Sequence, residues 1–399
     1  LLCGFTLAQL SIGILSHVIP PVAPQILWRL VCLLLLGLIL VRSWRSLNNL
    51  RVYGIIWALE LLLIETAQSR LIIATLNIIT GLFLARTIPW LIKKLPWLNN
   101  APVLKSSPLF FAVMGIMWRL GYLTNQTGWL TLGVAAIFLA VSYQVTERRA
   151  LSSLAILSFS VGIYEWVIYK LLLVRGGDIL NGLLILGLVA TGLGSIYRLI
   201  AWRGKLKGYT CIGSILLSDL KSIAHVHWTI GSIFKILTLA YSRVVFGMLT
   251  GHNSPQQHSL TLLLLSLSLS VYAFLEGRTV QGGEPWIYGG FWDTIETIII
   301  ARLLWKSLAF LDPFYGAVAG VIAILISYAP WTDWGWNIKP WRRVVVVIPL
   351  IVALLTCRAI SDLSLILLAS VYLQVGISRD NLRWSYLSLG FINWLVLRV

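Results

Sequence analysis

The sequence predicts an all-α fold, a polytopic transmembrane helical bundle of about fifteen helices built from degenerate parallel four-helix repeats. Three observations point to it. The chain is 58% hydrophobic and only 11% charged over 399 residues, with a mean hydropathy of +0.87, which leaves too little polar material for a water-facing surface. Its apolar residues fall in runs of near membrane-spanning length, cut by short polar breaks. One phrase also returns, as "SVGIYEWVIYK" at 160–170 and "SLGFINWLVLR" at 388–398.

The runs read in order as follows. Segments 1–19 and 25–42 end at the break carrying Arg42 and Arg45. Segments 51–67 and 70–86 lie between Arg51 and the basic group Arg86, Lys93 and Lys94; 107–124 and 127–145 follow Lys105 and stop before Arg148 and Arg149. Segments 150–174 and 179–200 lead to Arg198, Arg203, Lys205 and Lys207. The mixed stretch 208–227, "GYTCIGSILLSDLKSIAHVH", reads as an interfacial helix or a re-entrant piece. Segments 228–250 and 258–275 close at Arg278, 287–306 and 312–330 precede Lys339, Arg342 and Arg343, 343–359 and 361–377 precede Arg379 and Arg383, and 384–398 is the last. Each pair of crossings returns the chain to the same face, and that face collects roughly twice as many Lys and Arg as the other, the asymmetry expected of cytoplasmic loops.

Membrane-flanking loops therefore account for the net charge of +17, and nucleic acid is not an expected partner. The longest polar stretches, "HNSPQQHS" at 252–259 and "EGRTVQGGEP" at 276–285, leave no room for a soluble catalytic domain. The chain starts at Leu1 without a methionine and stops inside an apolar run, so it reads as a window on a longer protein. Many of the 19 tryptophans stand at segment ends, among them Trp90, Trp129, Trp202 and Trp384, where an amphipathic ring favours the headgroup level. The loop "WTDWGWNIKPW", Trp331 to Trp341, reads as anchoring of the same kind, with a sugar-stacking or headgroup site as the alternative.

Aligning the two phrases sets Gly162 on Gly390, Glu165 on Asn393 and Trp166 on Trp394. A partial third copy is "GFWD" from Gly290 to Asp293, and a fourth, "GIIWALE" from Gly54 to Glu60, displaces its carboxylate by three residues. The four fall on the third, seventh, eleventh and fifteenth segments. That spacing divides the chain into lead-in helices at 1–48, four-helix units at 49–148, 149–285 (with the interfacial segment near 208–227) and 286–378, and the start of a further unit at 379–399.

Glycine in such a phrase lets helix backbones approach closely, which matters in lipid, where packing holds helices together. Gly162, Gly290 and Gly390, together with Gly316 and Gly320 of "GAVAG", are the expected packing positions. Glu60, Glu165, Asp293 and Glu296 are the acids inside apolar runs, and such groups must be protonated or paired, facing protein or water. Asp293 and Glu296 are three apart and share a helix face, with Arg302 or Lys306 as structural partners or a cation or proton as ligand. Asn393 in the matching slot favours hydrogen-bonded interhelical glue. The histidines His225, His227, His252 and His258 gather near one crossing without ligand spacing, and the four cysteines, read as buried small residues, show none either. No metal, cofactor or catalytic residue is assigned, and the common hydrolase, ATPase and zinc signatures are missing.

The phrasing "GIYEWVIYKLLLVRGGDILNGLLILG" followed by "YRLIAW", and "ARLLWKSLAFLDPFYGAVAG", resembles very large multi-pass membrane proteins of cyanobacterial type. The resemblance implies a bacterial cell membrane, or a thylakoid membrane, and a longer parent chain; it brings no activity and no site residues. The leading functional expectation is a membrane scaffold or assembly component with lipid and other membrane proteins as partners. The alternative is a transporter or channel for a small solute, ion or lipid along Glu165, Asp293 and Glu296, and the third reading is a transferase for a lipid-linked substrate.

Overall fold

The computed structural model describes residues 25–43, 46–67, 69–144, 149–173, 179–212, 214–248, 256–279 and 283–398. The predicted first segment and His252 lie outside them. Fourteen α-helices occupy almost all of this length: α1 (Gln25–Ser43), α2 (Asn49–Thr66), α3 (Arg70–Lys94), α4 (Val103–Arg119), α5 (Thr127–Gln144), α6 (Arg149–Leu173), α7 (Ile179–Leu206), α8 (Leu217–Met248), α9 (Gln256–Thr279), α10 (Glu284–Leu304), α11 (Tyr315–Tyr328), α12 (Ile338–Leu355), α13 (Asp362–Ser378) and α14 (Leu382–Val396). Short 3-10 helices precede α4 (Pro96–Asn100) and α11 (Lys306–Phe314), and a two-residue antiparallel ladder, β1 (Cys211–Ile212) with β2 (Ile215–Leu216), precedes α8.

The helix starts have local causes. Asn48, Ser69, Asn337, Ser361 and Asn381 sit at N-caps, each side chain accepting a hydrogen bond from a backbone N–H of the first turn, such as Arg51 N to Asn48 Oδ1 at 3.0 Å. These caps satisfy donors that a helix end leaves unpaired. The chain turns back after α7 and within the tryptophan loop at Gly208 and Gly335, whose φ values of 72° and 78° suit glycine.

The mixed stretch 208–227 divides in two: the ladder takes Cys211–Ile212 and Ile215–Leu216, and from Leu217 onward it forms the opening turns of α8, continuous with the following segment. Nothing between Leu217 and Met248 breaks a helix. At 1.5 Å per residue the 32 residues of α8 are about 48 Å long. Among the described residues, seven helical stretches are long and apolar enough to cross a membrane, compatible with a multi-pass membrane protein. Large apolar side chains also stand exposed along the helices, among them Val41 at 78%, Leu172 at 70% and Ile377 at 74%, an outside suited to lipid rather than water.

The chain divides into two compact units. The first draws on Leu1–Asp178 and Leu193–Val226, the second on Ile179–Gly192 and His227–Val399, a coarser division than four-helix blocks. In the first unit, α1 pairs with α2, α3 with α4, and α5 with α6. A core of Ala74, Ile78, Ala112, Val134, Ile137 and Val141 lies among α3, α4 and α5. In the second, α9 pairs with α10, α11 with α12 and α13, and α13 with α14. Its core centres on Leu365, Leu368, Val371 and Tyr372 of α13, where the Tyr372 hydroxyl donates to Val346 O at 2.5 Å.

Four of the five glycines named from the sequence lie at close helix contacts. A Cβ on Gly162 would stand 3.0 Å from Gly128 O, and one on Gly128 2.8 Å from Gly162 O, so α5 and α6 meet backbone to backbone. A Cβ on Gly290 would stand 3.1 Å from the Phe274 ring. On α11 a Cβ at Gly316 would stand 2.9 Å from Ser364 Cβ of α13, and one at Gly320 would reach Leu367 Cβ at 3.4 Å, an ordinary packing contact. Ser364 fastens this crossing further: its hydroxyl donates to Pro313 O at 2.7 Å and accepts from Ala317 N at 3.0 Å. Gly390 differs, with nothing within 4 Å of a Cβ; α14 meets α13 through Ser385 beside Gly376 and through Ser388, which donates to Ala369 O at 2.7 Å.

This difference sets a test. Gly162→Ala forces α5 and α6 apart and is expected to cost about 1–3 kcal/mol. Gly390→Ala fills open space on a helix and is expected to gain about 0.5–1 kcal/mol. The midpoint of unfolding in mixed micelles with increasing dodecyl sulfate should fall for the first variant and hold or rise for the second.

Candidate functional site

The polar groups of interest are acids carried on helices whose other side chains are apolar. Each is best described with the side chains that reach it. In the first unit Glu60 of α2 is fully buried, and its Oε1 accepts from Asn77 Nδ2 of α3 at 3.2 Å and from Trp118 Nε1 of α4 at 3.0 Å. Asn77 is equally buried and spends its second amide hydrogen on Ile73 O, one turn back, at 3.1 Å. Glu60 Oε2 and Asn77 Oδ1 have no hydrogen-bond partner, and among the described residues no cation pairs with Glu60.

Glu165 of α6 is held differently. Both its oxygens receive the guanidinium of Arg119, the last residue of α4, with Nη1 to Oε2 and Nη2 to Oε1 each at 2.9 Å. This fork-to-fork geometry is the strongest form of an ion pair between side chains. Thr131 of α5 donates its hydroxyl to the same Oε2, so three helices converge on one carboxylate. The pair is mostly shielded, with the side chains 11% and 22% exposed.

The third cluster belongs to the second unit. Lys235 of α8 donates to Asp293 Oδ1 of α10. Its Nζ also stands 2.6 Å from Oε2 of Glu296, without hydrogen-bond geometry. The i, i+3 spacing that sets both carboxylates on one face of α10 thus aims them at a single ammonium. Lys235 and Asp293 are 3% and 4% exposed. His227, Gly231, Lys235 and Thr238 follow one face of α8 at helical spacing, and the three polar side chains among them are all buried. Gly231 gives room to Thr191 of α7, where a Cβ would stand 2.7 Å from the threonine methyl. Two carboxyl groups share one ammonium, and if both are ionised one negative charge is in excess, which in a poorly polarisable interior is costly.

Asn393 is exposed on α14, so it holds no buried slot matching Glu165. Arg302, named as a partner for Asp293 and Glu296, instead forks onto Asp312, with Nε at 2.7 Å and Nη2 at 2.8 Å, because the 3-10 helix after α10 returns that aspartate to the helix end. Arg119, Asn77, Thr131 and Lys235 are the partners that sequence reasoning missed. Lys235 had a usable signal, since it interrupts the apolar run "TIGSIFKILTLAY" as plainly as any acid does. Of the cysteines, Cys32 is buried while Cys211 and Cys357 are exposed; in place of buried filling, these two lie on the ladder and just past α12.

The tryptophan loop is occupied with itself. Trp331 stacks on Trp341 at 3.6 Å and 9°, Trp336 meets Trp341 edge-on at 5.2 Å, and Phe274 stacks on Trp341 at 6.0 Å. Trp331 Nε1 donates to Ile326 O at 2.6 Å. The central ring faces are therefore taken, and Trp334, half exposed, is the ring that reaches outward. This weakens the sugar-stacking reading.

Lys235→Met leaves the buried Asp293 and the partly buried Glu296 without a cation and is expected to destabilise the protein by about 3–5 kcal/mol, whereas the triple variant with Asp293→Leu and Glu296→Leu recovers most of that loss. Unfolding midpoints of the wild type, single and triple variants measure both. Equal losses in the two variants would show that packing, not charge balance, decides this site.

Comparison of the chain with protein-family models, with curated proteins and with solved structures gives no match.

Proposed function

We propose that this chain is a multi-pass scaffold or assembly component of a bacterial membrane, in which polar slots lock helices into a fixed arrangement. One observation carries the reading: each of the four acids picked out in the sequence meets a hydrogen-bond donor or a cation on another helix of its own unit. Glu60 has Asn77 and Trp118, Glu165 has Arg119 and Thr131, and Asp293 and Glu296 share Lys235. A conduction path requires acids open to an aqueous cavity. The cavity bordered by α10, α11 and α12 has none of the four in its lining. Lipid and other membrane proteins are the partners this reading requires, and the exposed apolar faces of the helices suit both.

The transport reading keeps one observation in its favour. Glu60 Oε2 and Asn77 Oδ1 are two buried acceptors without donors, as a site for a proton or a small cation would have. That site is confined to α2, α3 and α4.

A scaffold predicts that charge matters only as a matched pair. Glu165→Ala strands the Arg119 guanidinium and should abolish the discrete high-mass band of this chain on native gels of mildly solubilised membranes. The double variant Arg119→Gln with Glu165→Gln keeps two groups that hydrogen-bond to each other and should retain the band. Liposomes containing the purified chain should leak protons no faster than empty ones. Proton flux that disappears in Glu60→Gln or in the double variant would replace the scaffold by a transporter.

A further inference from the structure

A cavity of about 410 Å³ lies among α10, α11 and α12 of the second unit. Its walls are apolar, with Phe291, Ile295 and Ile298 on α10, Ile322 on α11, and Val345 and Ile348 on α12. Apart from Thr294, its polar residues, and all of its charged ones, collect at one end: Arg302 and Asp312, Tyr315 at the start of α11, and Thr356 and Arg358 just past α12.

The helix directions produce this polarity. On α10 the lining runs from Phe291 to Arg302, on α12 and beyond from Val344 to Arg358, and on α11 the other way, from Tyr315 to Ile326. The eleven steps between Tyr315 and Ile326, at about 1.5 Å each, make the groove roughly 16 Å deep. That is about half of a hydrocarbon core roughly 30 Å thick, the depth of one leaflet. The volume falls in the range of about 300–1,000 Å³ typical of small-ligand pockets.

The mouth carries two guanidiniums against one carboxylate. Arg302 commits Nε and Nη2 to Asp312 and retains Nη1. Arg358 is exposed, and among the described residues it makes no hydrogen bond or ion pair. A free guanidinium at the open end of a leaflet-deep apolar groove is complementary to an amphiphile whose anionic head sits at that depth.

We propose that this groove is a binding site for an anionic phospholipid, with one acyl chain laid between α10, α11 and α12 and the headgroup phosphate on Arg358. The proposal relies on the membrane setting and is independent of the scaffold role, because none of the paired acids takes part.

Native mass spectrometry of the full chain, stripped of lipid in a mild non-ionic detergent, tests it. Phosphatidylglycerol should be retained at one molecule per chain at low lipid ratios, in preference to phosphatidylcholine. Arg358→Gln should weaken retention by about tenfold, the scale of one charge-assisted contact. Arg383→Gln, an equal charge loss at another exposed arginine, should not. Ile322→Trp, which obstructs the middle of the groove, should abolish retention while circular dichroism reports an unchanged fold. Equal retention of phosphatidylcholine, displacement by an equal concentration of inorganic phosphate, or equal effects of the two arginine variants would each overturn the proposal. Failure of any of these leaves the native-gel behaviour of the Arg119 and Glu165 variants untouched, so the two readings fall separately.

Discussion

A carboxylate packed between apolar helices must find its hydrogen bonds on another helix, because neither lipid nor hydrocarbon side chains can supply them. That constraint organises both units. It joins α2 to α3 and α4 through Glu60, joins α6 to α4 and α5 through Glu165, and joins α10 to α8 through Asp293 and Glu296. Apolar packing alone distinguishes poorly between one helix face and another when every face is rich in leucine. A forked guanidinium or a shared ammonium has a single acceptable geometry. The polar contacts thus mark particular helix pairs, and at Gly128 against Gly162 the glycines allow the backbones to approach closely.

The three solutions are chemically different. Glu165 is satisfied on both oxygens by a full charge and a hydroxyl. Asp293 and Glu296 divide one ammonium. Glu60 relies on neutral donors and satisfies only one oxygen. Each copy of the "glycine, apolar pair, polar residue" phrase therefore sits among its own partners, and on α14 the phrase faces outward at Gly390 and Asn393. What the phrase specifies locally is a helix with a small residue and a polar residue; what that helix does depends on its neighbours.

The helices themselves were legible because an apolar run bounded by Arg, Lys, Asn or Ser has few alternatives to a helix. The acids were legible for a related reason, since a carboxylate far inside such a run demands an explanation. Their partners were not. Arg119 lies 46 residues from Glu165 and Lys235 lies 58 from Asp293, and no local periodicity connects positions on different helices. Arg302 seemed the natural mate of Glu296 by proximity along α10, yet the chain turns through a 3-10 helix and delivers Asp312 to it first. The fusion of 217–227 into α8 was hidden by its mixed polarity, which matches an interfacial stretch and the opening turns of a long helix equally well.

The separation between Arg119 and Glu165 also bears on how the protein is made. At about 5–20 residues per second, ribosomes need roughly 2–9 s to travel those 46 residues. For that interval α4 carries a guanidinium whose counter-charge does not yet exist. Packing the end of α4 among apolar side chains during that interval would leave the guanidinium without its carboxylate, which is costly for a shielded charge. The contact between α4 and α6 therefore closes only after α6 has been made.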